Sequence, residues 1–167
     1  MAKRSFAVRT LTPTATADAA NLVNDTHLGV MQGGAATQRN HISEIFLGGQ
    51  AGASAPTFIT AGMNSLAATV IVVGIGELAP LDSASADLAL PADIGTSSTI
   101  AAQRSITLGQ LLQLSFNAFG GIVRWLAAPG EEIGMVGLAV DTGSFSLSAF
   151  TGGTPGLMSS HIIFETL

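Results

Sequence analysis

Short segments with β-type alternation, separated by glycine turns, constrain the fold of this chain more than any other feature of its sequence. In residues 144–150, phenylalanine, leucine and alanine alternate with three serines. Successive side chains of a strand point to opposite faces, so this pattern predicts a strand with one apolar and one polar face. The last segment likewise places Ile162 and Phe164 opposite His161, Ile163 and Glu165. Comparable segments occupy residues 5–10, 41–47, 57–61, 68–75, 105–116, 121–127 and 132–140.

The spacing of these segments indicates the fold class. About eight short strands lie between glycine-rich turns, and no amphipathic pattern continues beyond two helical turns, which is typical of sandwiches and jelly rolls rather than parallel α/β sheets. We expect an all-β, jelly-roll-like antiparallel β-sandwich of about eight short strands with an irregular N-terminal arm. Residues 1–24 would form the arm and first strand, and residues 25–167 a single β-sandwich domain.

Several local patterns give sharper expectations. Strict alternation in residues 41–47 places Ile45 and Leu47 on the face opposite Ile42. Pro129-Gly130 is a turn dipeptide, so the flanking segments predict an antiparallel hairpin. Residues 68–75 suit a strand buried on both faces, and residues 80–99 read as a long surface loop. Residues 105–116 fit both helix and strand spacing, and a strand preceded by a helical turn is favoured.

The low charge of the chain bears on whether its surface is exposed to solvent or covered by other subunits. Only 10% of its 167 residues are charged, against about 25% in a typical soluble domain. The mean hydropathy is +0.50, yet no segment approaches the roughly 20 apolar residues that span a bilayer, and no signal peptide is recognisable. Either alanine and glycine raise the hydropathy without making the surface adhesive, or neighbouring subunits cover much of that surface. We favour covered surface, because charge is depleted in subunit interfaces.

The sign of the charge argues against nucleic acid as a partner. The net charge is −5, which opposes binding to phosphates. Three of the six basic residues, Lys3, Arg4 and Arg9, lie in the first ten positions. They would contact an acidic partner or form a solvated terminus, and the solvated terminus is the simpler interpretation. The absence of cysteine excludes disulfides and thiolate metal sites.

Motifs that would carry catalysis are weak. Residues 74–79 match a loose dinucleotide-binding pattern, but Pro80 follows where the pattern needs a helix. Glu131 and Glu132 are adjacent, and on a strand they would point to opposite faces, so they would not share a substrate. The three histidines, at positions 27, 41 and 161, are not at metal-ligand spacing. We therefore expect no enzyme activity, no cofactor and no metal.

Arg124-Trp125 is the one dipeptide that suggests a binding role. Arg and Trp are enriched at interface hot spots, and Trp125 is the only tryptophan in the chain. Trp125 would fill the sandwich core while Arg124 forms an ordinary salt bridge, or both would contact a partner; the first interpretation is slightly favoured. The candidate partner-binding residues are therefore Lys3, Arg4, Arg9, Arg124 and Trp125.

Three segments resemble small virion proteins of tailed bacteriophages. They are GGAATQRNHISEIFLGGQAGASAPT (residues 33–57), LSFNAFGGIVRWLAAPGEEIG (114–134) and SLSAFTGGTPGLMSSHIIFETL (146–167). In size and β character the chain is most similar to the capsid decoration, or cement, proteins. This resemblance implies a homotrimer that is made in the bacterial cytoplasm, sits on the capsid surface and binds the major capsid protein, without cofactor or catalytic residues. A tail, neck or fibre protein, structural or receptor-binding, is the alternative.

Overall fold

The computed structural model describes residues 5–10, 26–32, 39–63, 70–72, 78–81, 93–98, 110–135, 144–149 and 158–166. Within these ranges the chain forms β-strands, turns and short links but no helix. The strands are β1 (Ser5–Thr10), β2 (Thr26–Gln32), β3 (Asn40–Gly49), β4 (Pro56–Met63), β5 (Val70–Val72), β6 (Leu78–Pro80), β7 (Asp93–Ser98), β8 (Gln110–Asn117), β9 (Ile122–Leu126), β10 (Ile133–Met135), β11 (Ser144–Ala149) and β12 (Met158–Thr166). The expectation of an all-β protein is confirmed. No helix in the described ranges has the length and apolar character needed to cross a membrane.

Two antiparallel sheets pack against each other. The first sheet has the order β10-β3-β12-β1-β6, and β9 also pairs with β3. The second sheet has the order β5-β7-β2-β11-β4-β8. The predicted first strand is part of the sandwich, because β1 lies between β12 and β6 in the first sheet. The predicted domain boundary near residue 24 falls outside the described residues.

The pairing order is that of a jelly roll. Strands β1, β2, β3 and β4 pair with β12, β11, β9–β10 and β8 respectively, as in one long hairpin. Rolling that hairpin brings β12 beside β3 and β11 beside β4, which produces the two four-stranded layers of a jelly roll. Of the strands in these layers, β2 (Thr26–Gln32) was not predicted, because no predicted segment covers residues 26–32. Strands β5, β6 and β7 add to the edges of these layers.

The core lies between the sheets and consists of side chains from alternate strand positions. Along β12, Met158, Ile162 and Phe164 are buried while His161 and Ile163 lie on the outer face, as the alternation predicted. The second sheet contributes a matching set of fully buried side chains: Met31, Ile59, Ala61, Phe145 and Leu147. Burial of these side chains stabilises the sandwich by about 1.5–3 kcal/mol for each large residue.

The predicted hairpin around Pro129-Gly130 is wrong. β9 and β10 do not pair with each other; both pair with β3, one after the other along the same edge. The turn is a short excursion between them, held by the Ala127 amide on the Ser43 carbonyl and the Glu131 amide on the Ala128 carbonyl. Gly130 has a φ of 86° there, a conformation that favours glycine.

The predicted alternation in β3 is also wrong at one point. Ile42 and Ile45 are both fully buried, although odd spacing should place them on opposite faces. The register with β12 shifts between Ile163 and Phe164, so Ser43 is an extra residue opposite the pair. This β-bulge reverses the parity of the strand and turns both isoleucines inward.

Three further expectations concern segments with weak patterns. Residues 80–99 are not one long loop, because β7 lies within them and pairs with β2 and β5. The strand expected in residues 105–116 is confirmed as β8, whereas residues 105–109 lie outside the described ranges. Of residues 68–75, the structure describes only the backbone of β5. The expectation of a strand buried on both faces therefore stays a prediction.

Candidate interaction surface

A hydrogen-bonded corner positions β9. Asn117, at the end of β8, accepts hydrogen bonds on Oδ1 from the amides of Ala55 (2.9 Å) and Phe119 (3.0 Å). Its Nδ2 donates to the Ser54 hydroxyl at 2.9 Å. Backbone bonds between Ala118 and the link after β3 reinforce the same contact. The turn into β9 is therefore fixed against the β3–β4 link by one polar side chain.

Two glycines allow the backbones at this corner to approach closely. A Cβ added at Gly49 would overlap the carbonyl of Ala118, and one added at Gly121 would overlap the carbonyl of Asn117. The Gly49 amide donates to the Gly121 carbonyl at 2.8 Å. Since only glycine has room at both positions, the corner cannot accept a larger side chain without moving.

β9 carries apolar side chains on both of its faces. Val123 and Trp125 pack against the core. On the opposite face Ile122 and Leu126 are 66% and 60% exposed, and Phe119 in the preceding turn is 58% exposed. We call Phe119, Ile122, Arg124 and Leu126 the β9 surface. Exposed apolar side chains that lie together on one strand are typical of contact sites.

Arg124 is bound within the chain. Its Nε lies 2.6 Å from Oε1 of Glu44 and its Nη2 lies 3.1 Å from Oε2. The hydrogen bond to Glu44, and secondly the negative charge of that carboxylate, raise the pKa of Arg124 above its ordinary value. Trp125 is thus partly buried against the core and Arg124 is ion-paired, while a partner-binding role for either residue stays a prediction.

Within the described residues, the edge of β9 that faces away from β3 has no partner strand. The Gly49–Gly121 and Ser43–Ala127 hydrogen bonds flank the β3–β9 ladder. Hydrogen-bonded pairs alternate in an antiparallel ladder, so the amides and carbonyls of Ile122, Arg124 and Leu126 point away from β3. Among the described strands, β9 pairs with β3 alone. Such an edge is a template for another strand.

A groove runs along the same side of the sandwich, between the edge strand β8 of the second sheet and β9–β10 of the first. It encloses about 490 Å³. Apolar side chains of Met63, Leu112 and Ile133 line it together with Trp125, and Glu131 and Glu132 lie at its wall. The groove therefore combines an aromatic ring with two carboxylates.

The two glutamates differ from their expected arrangement. On a regular strand they would point to opposite faces, but both line the groove. They precede β10 rather than belonging to it, and the turn at Ala128–Glu131 removes the strand alternation. The amide of Glu131 bonds to Ala128, while its side chain is exposed.

The remaining candidate residues lie elsewhere. Lys3 and Arg4 fall outside the described residues, and Arg9 is in β1 opposite His161, with its side chain outside the description. In the described ranges no three histidine or acidic side chains converge as a metal site. His161 lies on the outer face with Glu165, as expected, and its Nε2 is buried without a hydrogen-bond partner.

Sequence reasoning missed the exposed residues of β9 and the groove. The signal for the first was present in IVRWL, where apolar residues occupy both faces of one strand. The groove depends on which edges meet, which the local sequence does not specify. No protein-family model, curated protein or solved structure matches this chain.

Proposed function

We propose that this chain is a non-enzymatic virion structural protein, a capsid decoration (cement) subunit that stabilises a phage head by cross-linking neighbouring capsid subunits. The observation that carries the proposal is the β9 surface. Ile122 and Leu126 are more than half exposed, on a strand whose outward backbone groups have no partner strand in the described part of the chain. A surface of this kind supports a role in binding another protein chain.

The framework behind the β9 surface favours a structural contact. Val123 and Trp125 of β9 pack against the core of the jelly roll, and the Asn117 corner fixes the start of the strand. A partner that binds here meets a preorganised surface, so little conformational entropy is lost on binding. Rigid presentation suits a subunit whose task is to hold its neighbours in place.

Low charge supports the same role. The chain has 6 basic and 11 acidic residues, and Arg124, the cation of the β9 surface, is neutralised by Glu44. The contact with a neighbour would therefore be mainly apolar and hydrogen-bonded. Many copies around a shell or within a trimer would add their contacts through effective concentration.

The experiment begins with the mass of the purified protein by light scattering and continues with mixing it with phage heads that lack it. A stable trimer that binds the heads and raises their resistance to heat or osmotic shock would support the cement role. A larger closed ring that does not bind heads would favour the alternative of a tail or neck component. A monomer without affinity for heads would contradict the proposal.

A further inference from the structure

The groove beside β9 has the chemical character of a site for a cationic side chain. Trp125, which carries the only indole of the chain, lines it, and aromatic rings attract cations. Glu131 and Glu132 line the same groove. An aromatic residue beside two acidic residues complements a lysine ammonium or an arginine guanidinium and disfavours an anion.

The position of the groove indicates how the cation would arrive. It lies beside the edge of β9 that has no partner among the described strands, where the backbone groups of Ile122, Arg124 and Leu126 point away from β3. A strand added to this edge would alternate its side chains between the outer face and the groove. One of those inward side chains would reach Trp125 and Glu131.

We infer that β9 binds an extended segment of a partner protein, and that this segment places a lysine or arginine side chain in the groove against Trp125 and Glu131. This inference deepens the proposed function, since it names the chemistry that a neighbouring subunit presents. The overall charge of −5 is consistent with a basic segment, because attraction between opposite charges favours the encounter.

The single tryptophan provides the measurement. The chain has one Trp and no Tyr, so its intrinsic tryptophan fluorescence reports on Trp125 alone. We would titrate the full-length protein with the peptide acetyl-Val-Arg-Val-amide and, as a matched neutral probe, with acetyl-Val-citrulline-Val-amide. Citrulline has the shape of arginine without its charge. The arginine peptide should give a saturable change in emission, and the citrulline peptide should bind about tenfold more weakly.

Two charge variants locate the effect. Glu131→Gln should weaken the arginine peptide several-fold, whereas Glu165→Gln, which removes the same charge on β12 outside the groove, should leave its affinity unchanged. Absence of a saturable response to the arginine peptide, or equal affinity for both peptides, would overturn the inference. An emission that shifts on dilution of the protein alone would indicate a second copy as the occupant and would overturn it as well.

Failure of this inference is distinguishable from failure of the proposed function. The peptide titration uses no phage component, so a negative titration with normal binding to heads would exclude the groove and leave the cement role standing. A positive titration with no binding to any head would establish the groove and contradict the cement role.

Discussion

The guanidinium of Arg124 lies against the carboxylate of Glu44 on the neighbouring strand, with two nitrogen–oxygen distances of 2.6 and 3.1 Å. The side chain of Arg124 is 55% exposed and that of Glu44 is 16% exposed. The pair lies between Ile122 and Leu126 on the outer face of the first sheet. Arg124 therefore places a positive charge between two exposed apolar side chains of β9, and the carboxylate of Glu44 neutralises that charge.

Removing this ion pair should make β9 associate more readily with other copies of the chain. Charged side chains at an edge strand oppose unwanted pairing, so the double variant Arg124→Leu/Glu44→Gln, which removes both charges of the ion pair, should give a larger mass than the wild-type protein at equal concentration, measured by light scattering. Arg124→Lys retains the charge and serves as the control, with the wild-type mass expected. Equal masses for the double variant and the wild type would show that the Arg124–Glu44 pair does not protect the edge.

The corner at Asn117 should contribute strongly to stability. Asn117→Ala removes three side-chain hydrogen bonds and leaves the Ala55 amide without its partner. We expect the free energy of unfolding to fall by about 2–3 kcal/mol, measured by denaturant titration. Ser54→Ala, which removes only one exposed bond of the same set, should cost less than about 0.5 kcal/mol. Similar losses for both variants would contradict the role assigned to the Asn117 oxygen.

Close approach at Gly49 is testable with a matched glycine. Gly49→Ala would force its Cβ into the Ala118 backbone, and we expect a loss of more than about 2 kcal/mol in unfolding free energy. Gly52 lies in the same link with open space around it, so Gly52→Ala should be neutral or stabilising by up to about 1 kcal/mol. Both values would come from denaturant titrations. A neutral Gly49→Ala variant would exclude the close approach.

The buried nitrogen of His161 should reduce stability. Its Nε2 has no hydrogen-bond partner, and burial of an unsatisfied polar atom carries a desolvation penalty. Since Phe46 lies opposite on β3, His161→Phe should leave the unfolding free energy unchanged or raise it by about 1 kcal/mol. Thermal and denaturant unfolding would measure the change. A clear destabilisation would indicate that Nε2 has a partner in solution.

Local sequence was sufficient where one strand face is buried. The alternation in β12 and around Phe145 fixes which side chains enter the core, because a shift by one residue would expose the entire apolar set. The jelly-roll-like sandwich could therefore be predicted from period and spacing alone.

Other features depend on partners that are distant in sequence. The bulge at Ser43 lies where β3 pairs with β12 on one edge and passes from β9 to β10 on the other. The Pro129-Gly130 dipeptide has the composition of a hairpin turn, but the chain after it pairs with β3 instead of folding back on β9. β7 has a loop-like composition and becomes a strand through its ladders with β2 and β5.

The candidate site was predictable only in part. Arg124 and Trp125 were singled out by residue type, and the opposite orientation of the two side chains followed from strand parity. The exposure of Ile122 and Leu126 was not expected, because an apolar residue on a strand is ordinarily assigned to the core. The groove could not be predicted, because it forms where an edge of one sheet meets an edge of the other, and local sequence does not specify which edges meet.

The most direct test of the β9 surface compares the binding of three proteins to phage heads that lack the protein: the wild type, the double variant Ile122→Ser/Leu126→Ser, and Leu81→Ser. Leu81 is 57% exposed and follows β6 at the opposite edge of the first sheet, so it matches the loss of an exposed leucine. Co-sedimentation should show wild-type binding for Leu81→Ser and at least about tenfold weaker binding for the double variant, as expected for the loss of interface anchors. Equal binding by all three proteins would contradict the assignment of β9 as the contact surface.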